Sequence, residues 1–105
     1  MAFAPVPTGW LGAGYTAGAD DMTIPIANFP QLTAAEADEA TGDIRKILFA
    51  IMDKAADKFE SLPLADRPTK MTIQRGYGSI AGGVTRVTFS VSFNLAVGSV
   101  EVAGE

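Results

Sequence analysis

The feature that most constrains the fold is one alternating stretch, residues 84–97, which reads VTRVTFSVSFNLAV. Apolar side chains occupy every second position from Val87 to Val97. The alternate positions 88, 90, 92 and 94 carry small polar side chains. A period of two places the two sets on opposite faces of a strand. At about 3.3 Å per residue the stretch predicts a strand of roughly 45 Å, well beyond the usual length.

The polar face of this predicted strand has an unusual chemistry, because it is uncharged over most of its length. A strand edge that faces water normally carries Lys or Glu, which discourage pairing with other chains. We therefore expect both edges to be paired, within the fold or with another subunit. The preceding predicted strand, residues 70–75, is the nearest pairing partner along the chain and is much shorter. Part of the long strand must therefore pair with another segment.

The main helix is predicted over residues 43–62, which contain no Pro or Gly. Thr41 or Asp43 is the expected N-cap, and Pro63 ends the helix after Ser61 or Leu62. A stripe of apolar residues recurs at helical spacing and is expected to face the core. Its members are Ile44, Ile47, Leu48, Ile51, Ala55, Phe59 and Leu62.

Residues 70–75 alternate again, and the Gly-rich stretch 76–83 separates them from the long strand. This order predicts a β-hairpin with a flexible tip over 76–83. Gly76, Gly78 and Ala81 also match a dinucleotide-binding pattern, but that site requires a loop that enters a helix. Here the loop enters a strand, so the hairpin tip is favoured.

Three shorter elements complete the expected domain. Residues 22–28 alternate and predict an edge strand, since Pro25 cannot donate to a ladder. Thr33 and Glu36 have capping-box spacing, and we expect residues 34–40 to form a short helical turn or an ordered loop. The tail, residues 99–103, can turn back as a further short strand.

The first 21 residues predict an extended arm, rich in Gly, Pro and Ala without a helical or strand period. Unlike a flexible linker, the arm carries apolar and aromatic side chains, which suit docking on a neighbouring subunit. The alternative is that they fold back on the chain's own core. The candidate interface residues are Phe3, Pro5, Trp10, Leu11 and Tyr15.

Composition argues against most catalytic and metal chemistry. The chain has no Cys and no His, which removes disulfides, thiolate sites and the commonest general base. Asp20–Asp21 and the acids at 36–39 lack calcium-loop spacing and are expected to be solvated. The basic residues Arg67, Lys70 and Arg75 are interpreted as a solvated strand face. We therefore predict no enzyme activity, no cofactor and no metal.

The net charge of −4 and the absence of a basic patch argue against direct nucleic-acid binding. No apolar run approaches the length of a membrane span, and the first residues lack the pattern of a signal peptide. The expected fold class is α+β, with one long helix packed on an antiparallel sheet of three to five strands. The expected organisation is an arm, residues 1–21, and a single domain, residues 22–105.

Residues 29–51, FPQLTAAEADEATGDIRKILFAI, resemble small virion structural proteins of tailed phages that infect cyanobacteria. Residues 66–75, DRPTKMTIQR, and the strand ending in EVAGE at 101–105 fit the same pattern. The resemblance covers roughly residues 22–105. It implies a structural part of the particle, a capsid decoration (cement) protein, and it transfers no functional residues.

On that resemblance the expected partner is the major capsid protein, whose subunits the protein bridges and stabilises as a homo-oligomer such as a trimer. It is then made in the host cytoplasm and located on the capsid surface of the virion. A tail, neck or baseplate component is the alternative within this class. A small ligand-binding or enzymatic domain is the alternative of another class, and it requires a closed apolar pocket with converging polar groups.

Overall fold

The computed structural model describes residues 3–104, which form a small α+β fold with one long helix and two antiparallel two-stranded sheets. These residues divide into an N-terminal unit, residues 4–58, and a C-terminal unit, residues 59–104 together with Phe3. The helices and strands are α1 (Pro7–Leu11), β1 (Thr16–Ala17), β2 (Met22–Thr23), α2 (Ile44–Ser61), β3 (Met71–Ile80) and β4 (Val84–Phe93). Two short 3-10 turns cover Ile26–Asn28 and Leu64–Asp66.

The long helix α2 confirms the predicted helix and its caps. The Asp43 carboxylate accepts a hydrogen bond of 3.0 Å from the backbone amide of Arg45, so Asp43 is the N-cap. At the other end the Arg67 guanidinium donates to the carbonyls of Leu62 and Glu60, at 2.9 and 3.2 Å. These bonds satisfy backbone acceptors that a helix C-terminus otherwise leaves to water.

The core of the N-terminal unit is built around Ala50, which is fully buried and clusters with the buried side chains of Phe29 and Leu32. Ile47 and Ile51 pack against this cluster, as the predicted stripe requires. Two other stripe members, Ile44 and Leu48, are instead 62% and 55% exposed. The buried face of α2 is rotated towards Ala50, because a small side chain there lets the segment around Phe29 and Leu32 approach the helix closely.

The predicted strand over residues 22–28 is much shorter in the structure. Only β2 is extended, paired with β1, and Pro25 then leads into the turn Ile26–Asn28. The preceding residues are not a plain extended arm, since they contain α1 and β1. The Asn28 side-chain amide donates to the carbonyls of Leu11 and Ala13 at 3.0 and 2.8 Å, which holds this segment within the N-terminal unit.

The β3–β4 hairpin differs from the prediction in length and in the position of its tip. β3 extends through Gly76 and Gly78 to Ile80, and the strands are in full register from Met71 opposite Phe93 to Ile80 opposite Val84. The turn is confined to residues 81–83, where Gly82 and Gly83 have φ angles of 86° and 74°. Such angles are readily accessible only to glycine, so the hairpin closes there. The prediction that β4 has a short mate is therefore wrong.

After β4 the chain folds back on itself. Leu95 and Val102 form one antiparallel bridge, and the Ala103 amide donates to the Asn94 carbonyl at 2.8 Å. This bridge is the counterpart of the predicted tail strand. The expected single sheet of three to five strands is not confirmed, because the sheets among residues 3–104 are two separate pairs.

Candidate interaction surface

The C-terminal unit exposes a large set of apolar side chains, all from the hairpin and the tail. We call this set the hairpin–tail surface. Its members are Tyr77, Ile80, Val84, Phe93, Leu95, Val97, Val100 and Val102, each at least 40% exposed. Scattered exposed hydrophobic residues are ordinary, but this many within one short segment are typical of a surface that contacts another protein.

The register of the hairpin shows on which of its two faces each of these residues lies. Because paired residues share a face, Tyr77 lies beside Val87, and Met71 lies beside Phe93, on one face of the hairpin. The opposite face carries small polar residues such as Thr88 and Ser90, and it also carries Ile80 and Val84, the last pair before the turn. The exposed apolar residues of the hairpin therefore lie on both of its faces, with Tyr77 and Phe93 on one and Ile80 and Val84 on the other.

Arg67, which precedes β3, and Arg75, which lies within it, both make structural contacts. Arg75 forms a 2.7 Å ion pair with Glu60, and its guanidinium lies 6.0 Å from the centre of the Tyr77 ring. Arg67, besides capping α2, lies 5.2 Å from the centre of the Phe59 ring. Both arginines therefore act within the C-terminal unit rather than as a solvated face, which corrects the sequence interpretation for these two residues.

The acidic loop before α2, residues 33–43, is ordered by a network of hydrogen bonds, while Asp38 and Glu39 stay exposed to solvent as expected. Thr33 and Glu36 form the capping box that their spacing predicts, with bonds of 2.9 and 3.2 Å. Glu36 also pairs with Lys46 at 2.8 Å. The hydrogen bond from Lys46, followed by that from the Thr33 amide, lowers the pKa of Glu36.

Two further acids of this loop, Asp38 and Asp43, act as local caps. The Asp38 carboxylate accepts from the amides of Ala40 and Thr41, both at 2.9 Å, and these bonds lower its pKa. The Arg45 side chain and amide both donate to Asp43 and lower its pKa to about 2. These perturbed pKa values have structural causes, so they do not indicate a catalytic acid or base.

The N-terminal unit contains an apolar groove of about 300 Å³. Its lining residues are Met22, Ile24, Ile26, Phe29, Leu32, Ala37, Ile47 and Ile51. Met22 and Ile26 at its rim are exposed. All lining side chains are apolar apart from the Met22 thioether, so they offer a ligand hydrophobic contact without the converging polar groups that a specific small-molecule site needs.

The five candidate interface residues near the N-terminus lie in different settings. Pro5 is exposed, whereas Phe3, Trp10, Leu11 and Tyr15 are partly buried. The Trp10 indole donates to the Ala4 carbonyl at 3.2 Å. The Tyr15 hydroxyl donates to the Met22 thioether at 3.3 Å. Trp10 and Tyr15 therefore have partners within the N-terminal unit, and contact with another subunit stays a prediction.

The remaining sequence patterns acquire simple structural meanings. Gly76 and Gly78 lie within β3, which leads into a turn and then β4 instead of a helix. The hairpin is therefore confirmed, but the assignment of these two glycines to its tip is wrong, because both are paired within β3. Among residues 3–104 no group of three or more acidic side chains could hold a metal ion. Within the same residues, neither helix combines the length and the apolar character that crossing a membrane demands.

The hairpin–tail surface was missed at the sequence level, although its residues were visible there. In the alternating stretch 84–97, Val87, Phe89 and Val91 are partly buried, whereas Phe93, Leu95 and Val97 are exposed. A period of two cannot tell which part of an apolar face becomes covered. No protein-family model matches the chain, and neither curated proteins nor solved structures provide a match. The resemblance to virion structural proteins therefore stays a prediction.

Proposed function

We propose that this protein is a virion structural protein of a tailed phage, a capsid decoration protein that bridges and stabilises major capsid subunits as a homo-oligomer. The observation that carries the proposal is the hairpin–tail surface, on which Val97 is 105% and Val100 92% exposed. Covering such side chains with another surface lowers the free energy, because it removes apolar area from water. The phage setting comes from the resemblance in residues 29–51, 66–75 and 101–105.

The chemistry of the chain is consistent with a structural role. The strongly hydrogen-bonded acids, Glu36, Asp38 and Asp43, are used to order the loop before α2. The apolar groove supplies no converging polar side chains. A decoration protein also occupies many equivalent positions on a shell, so weak contacts at each position add up through avidity.

The N-terminal residues contribute a second contact in this proposal. Pro5 is exposed, and the partly buried Trp10 and Tyr15 hold this segment against its own unit. A segment held in this way presents a preformed surface to a neighbouring shell subunit, which lowers the ordering cost of binding. The proposed contact residues are Phe3, Pro5, Trp10, Leu11 and Tyr15.

The experiment that tests the proposal is the location of the protein on the particle. Gold-labelled antibody fragments raised against the purified chain are applied to purified virions of the phage that encodes it. Regular labelling over the head is the expected result. Labelling confined to the tail vertex would replace decoration with the neck, tail or baseplate alternative. Absence of the protein from purified virions would overturn the proposal.

A variant of the protein tests whether the hairpin–tail surface makes the contact with the particle. The double substitution Val97→Asp and Val100→Asp places charges on two fully or almost fully exposed side chains, so the fold is expected to survive. We expect this variant to lose occupancy on virions that lack the native protein. The matched control is Leu64→Asp, which alters a side chain that is 82% exposed and lies outside the hairpin–tail surface. Equal occupancy of both variants would exclude the tail from the contact.

A further inference from the structure

The last part of the described chain contains a turn that is held by its own hydrogen bonds. We call residues 94–103 the tail turn. The Ala96 amide donates to the Glu101 carbonyl at 3.0 Å, and the Ser99 amide donates back to the Ala96 carbonyl at 3.0 Å. The Ser99 hydroxyl accepts from the Glu101 amide at 2.9 Å. The tail turn is therefore preformed, so binding through it costs little ordering of the backbone.

The tail turn presents two valines to solvent and one acid beside them. Val97 is 105% exposed and Val100 is 92% exposed, so both side chains make little contact with their own chain. Glu101 follows Val100 and is also exposed. Among residues 3–104 its carboxylate forms no ion pair. The tail turn thus combines an apolar end with an unpaired negative charge at its side.

The apolar groove of the N-terminal unit has the size and the chemistry that these valines need. Its lining includes the buried side chains of Phe29 and Leu32, and Met22 and Ile26 are exposed at its rim. The groove has a volume of about 300 Å³. The six side-chain carbons of two valines need on the order of 200 Å³, at roughly the 30 Å³ that a water-sized group occupies in a liquid. Both valine side chains therefore fit in the groove.

A lysine beside the groove supplies the charge that complements the tail turn. Lys54 follows Ile47 and Ile51 on the same face of α2, and both isoleucines line the groove. The Lys54 ammonium lies 5.9 Å from the centre of the Phe29 ring, another part of the lining. In the part of the chain that the structure describes, Lys54 forms no ion pair. An unpaired cation thus adjoins the groove, as the unpaired Glu101 adjoins the valines.

We propose that the tail turn of one copy docks in the apolar groove of a second copy, with Val97 and Val100 in the groove and Glu101 beside Lys54 of the partner subunit. A turn that enters by its end leaves Glu101 at the rim, where the charged residues of an interface normally lie. Every copy carries one tail turn and one groove, so each groove has an occupant. The contact joins different surfaces of two copies and repeats around a closed symmetric ring.

This inference rests on the proposed function, in which the protein self-associates, and it names the two surfaces that meet. The hairpin part of the hairpin–tail surface is then left for the capsid subunits. The test of the inference uses the purified chain in solution, whereas the proposed function is tested on virions. A protein that decorates virions but fails the tests below would overturn the contact alone. A protein that passes them but is absent from virions would overturn the virion role alone.

The contact is tested with single cysteines, since the native chain has none. Val97→Cys places a thiol on the tail turn, and Ile26→Cys places one at the rim of the groove, on a side chain that is 38% exposed. A mixture of the two variants under mild oxidation is expected to give a disulfide-linked heterodimer, because the docked turn brings the two positions together. Circular dichroism checks that each variant folds.

The matched control is Leu48→Cys, which lies in the same unit outside the groove lining and is 55% exposed. Random collision favours this more exposed position, whereas docking in the groove favours Ile26→Cys several-fold. Non-reducing electrophoresis and mass spectrometry of the linked peptides identify the products. Equal yields with the two partners of Val97→Cys would overturn the proposal, as would absence of the heterodimer. A chain with both Ile26→Cys and Val97→Cys is expected to form linked oligomers, and a monomer with an internal disulfide would overturn docking between copies.

An exchange of charges tests the proposed ion pair in the same crosslinking reaction. Lys54→Glu, added to the Ile26→Cys chain, sets two acids against each other and is expected to slow heterodimer formation about twofold to fivefold. Glu101→Lys, added to the Val97→Cys chain, is expected to slow it by a similar factor. Mixing the two charge-exchanged chains is expected to restore the original rate, since the pair is re-formed with its signs reversed. A rate that stays low in this mixture would overturn the proposal, because charge complementarity is what identifies the occupant.

Discussion

Thr33 and Glu36 hydrogen-bond to each other reciprocally: the Thr33 amide donates to Glu36 Oε1 at 2.9 Å, and the Glu36 amide donates to Thr33 Oγ1 at 3.2 Å. A capping box normally opens a helix, but here only a turn follows. The second carboxylate oxygen, Oε2, accepts from Lys46 of α2 at 2.8 Å. The box therefore connects the acidic loop to the first turns of the long helix.

The loop before α2 is expected to lose stability in acid. Hydrogen bonds in the folded state hold the pKa of Asp43 at about 2, and they also lower those of Glu36 and Asp38. Because each folded pKa lies below its unfolded value, the stabilisation is fully present above the ordinary values of 4.5 and 3.8. It is lost as the pH falls through the folded pKa values. Far-UV circular dichroism between pH 6 and pH 2 measures the loss of helix.

The control for the acid experiment is Asp43→Asn, which keeps a capping side chain but removes the titrating group. We expect its helix signal to be lower at neutral pH and less sensitive to acid. The carboxyl carbon of Asp43 reports the same equilibrium by NMR. A midpoint near its ordinary value of 3.8 would contradict the structural account.

Gly42→Ala is expected to destabilise the N-terminal unit by about 2 kcal/mol or more. A Cβ at this position would lie 2.5 Å from the Asp38 carbonyl oxygen and 2.9 Å from the Asp38 amide nitrogen. These are backbone atoms that themselves hold the loop, since the Gly42 amide donates to the same carbonyl at 3.0 Å. The loop must shift to admit the methyl group. Chemical denaturation measures the loss.

Gly9→Ala is the matched control for Gly42→Ala. A Cβ at Gly9 meets no atom within 4 Å, and the residue lies within α1. The substitution should leave stability unchanged or raise it by up to about 1 kcal/mol, because alanine favours helix more than glycine does. An equal loss in both variants would show that the close approach at Gly42 is unimportant.

Ala50→Leu is expected to cost about 1–3 kcal/mol, because the added carbons have no space in a packed core. Ala50 is fully buried, in a cluster with Phe29 and Leu32. The opposite change on the exposed side of the helix, Leu48→Ala, should alter stability by less than about 1 kcal/mol. Denaturation midpoints of the two variants compare the faces directly. A larger loss of stability from Leu48→Ala than from Ala50→Leu would show that the buried face of α2 is the stripe expected from sequence.

Arg67→Lys is expected to lower the stability of the C-terminal unit by about 1–2 kcal/mol. One guanidinium reaches two carbonyls at the end of α2 and also lies against the Phe59 ring. A lysine ammonium cannot reproduce this flat, forked geometry. Arg86→Lys, on the exposed polar face of β4, is the control and should change stability by less than about 0.5 kcal/mol. Thermal denaturation that fails to separate the two variants would contradict a specific role for Arg67.

The two ends of α2 could be predicted from sequence because capping and helix termination are local. Asp43 caps through its own side chain, and Pro63 cannot continue a helix. The capping box at Thr33 and Glu36 was visible for the same reason. The face of α2 that becomes buried was harder to predict, since Ala50 carries little hydrophobic signal. Its burial depends on Phe29 and Leu32, which lie elsewhere in the chain.

The hairpin shows where the local rules gave a wrong boundary. Gly76 and Gly78 were assigned to the tip because they lie in the Gly-rich stretch 76–83, yet they are paired with Thr88 and Arg86. The closing turn lies at Gly82 and the residues beside it, and it determines how far the ladder extends backwards. The expected unpaired length of the long strand therefore disappears. The reason to expect an assembly is now the set of exposed apolar side chains on the hairpin and the tail.

The sequence by itself determined the helix over α2, its caps and the antiparallel pairing of β3 with β4, because these depend on neighbours along the chain and on a period of two or 3.6. Only the tertiary structure decided that Ala50 is buried, that β4 has a mate of equal length and that the apolar residues of the tail remain exposed. Burial depends on contacts between residues that are distant in sequence. A periodic pattern is the same whether its apolar face is buried within the chain or remains exposed.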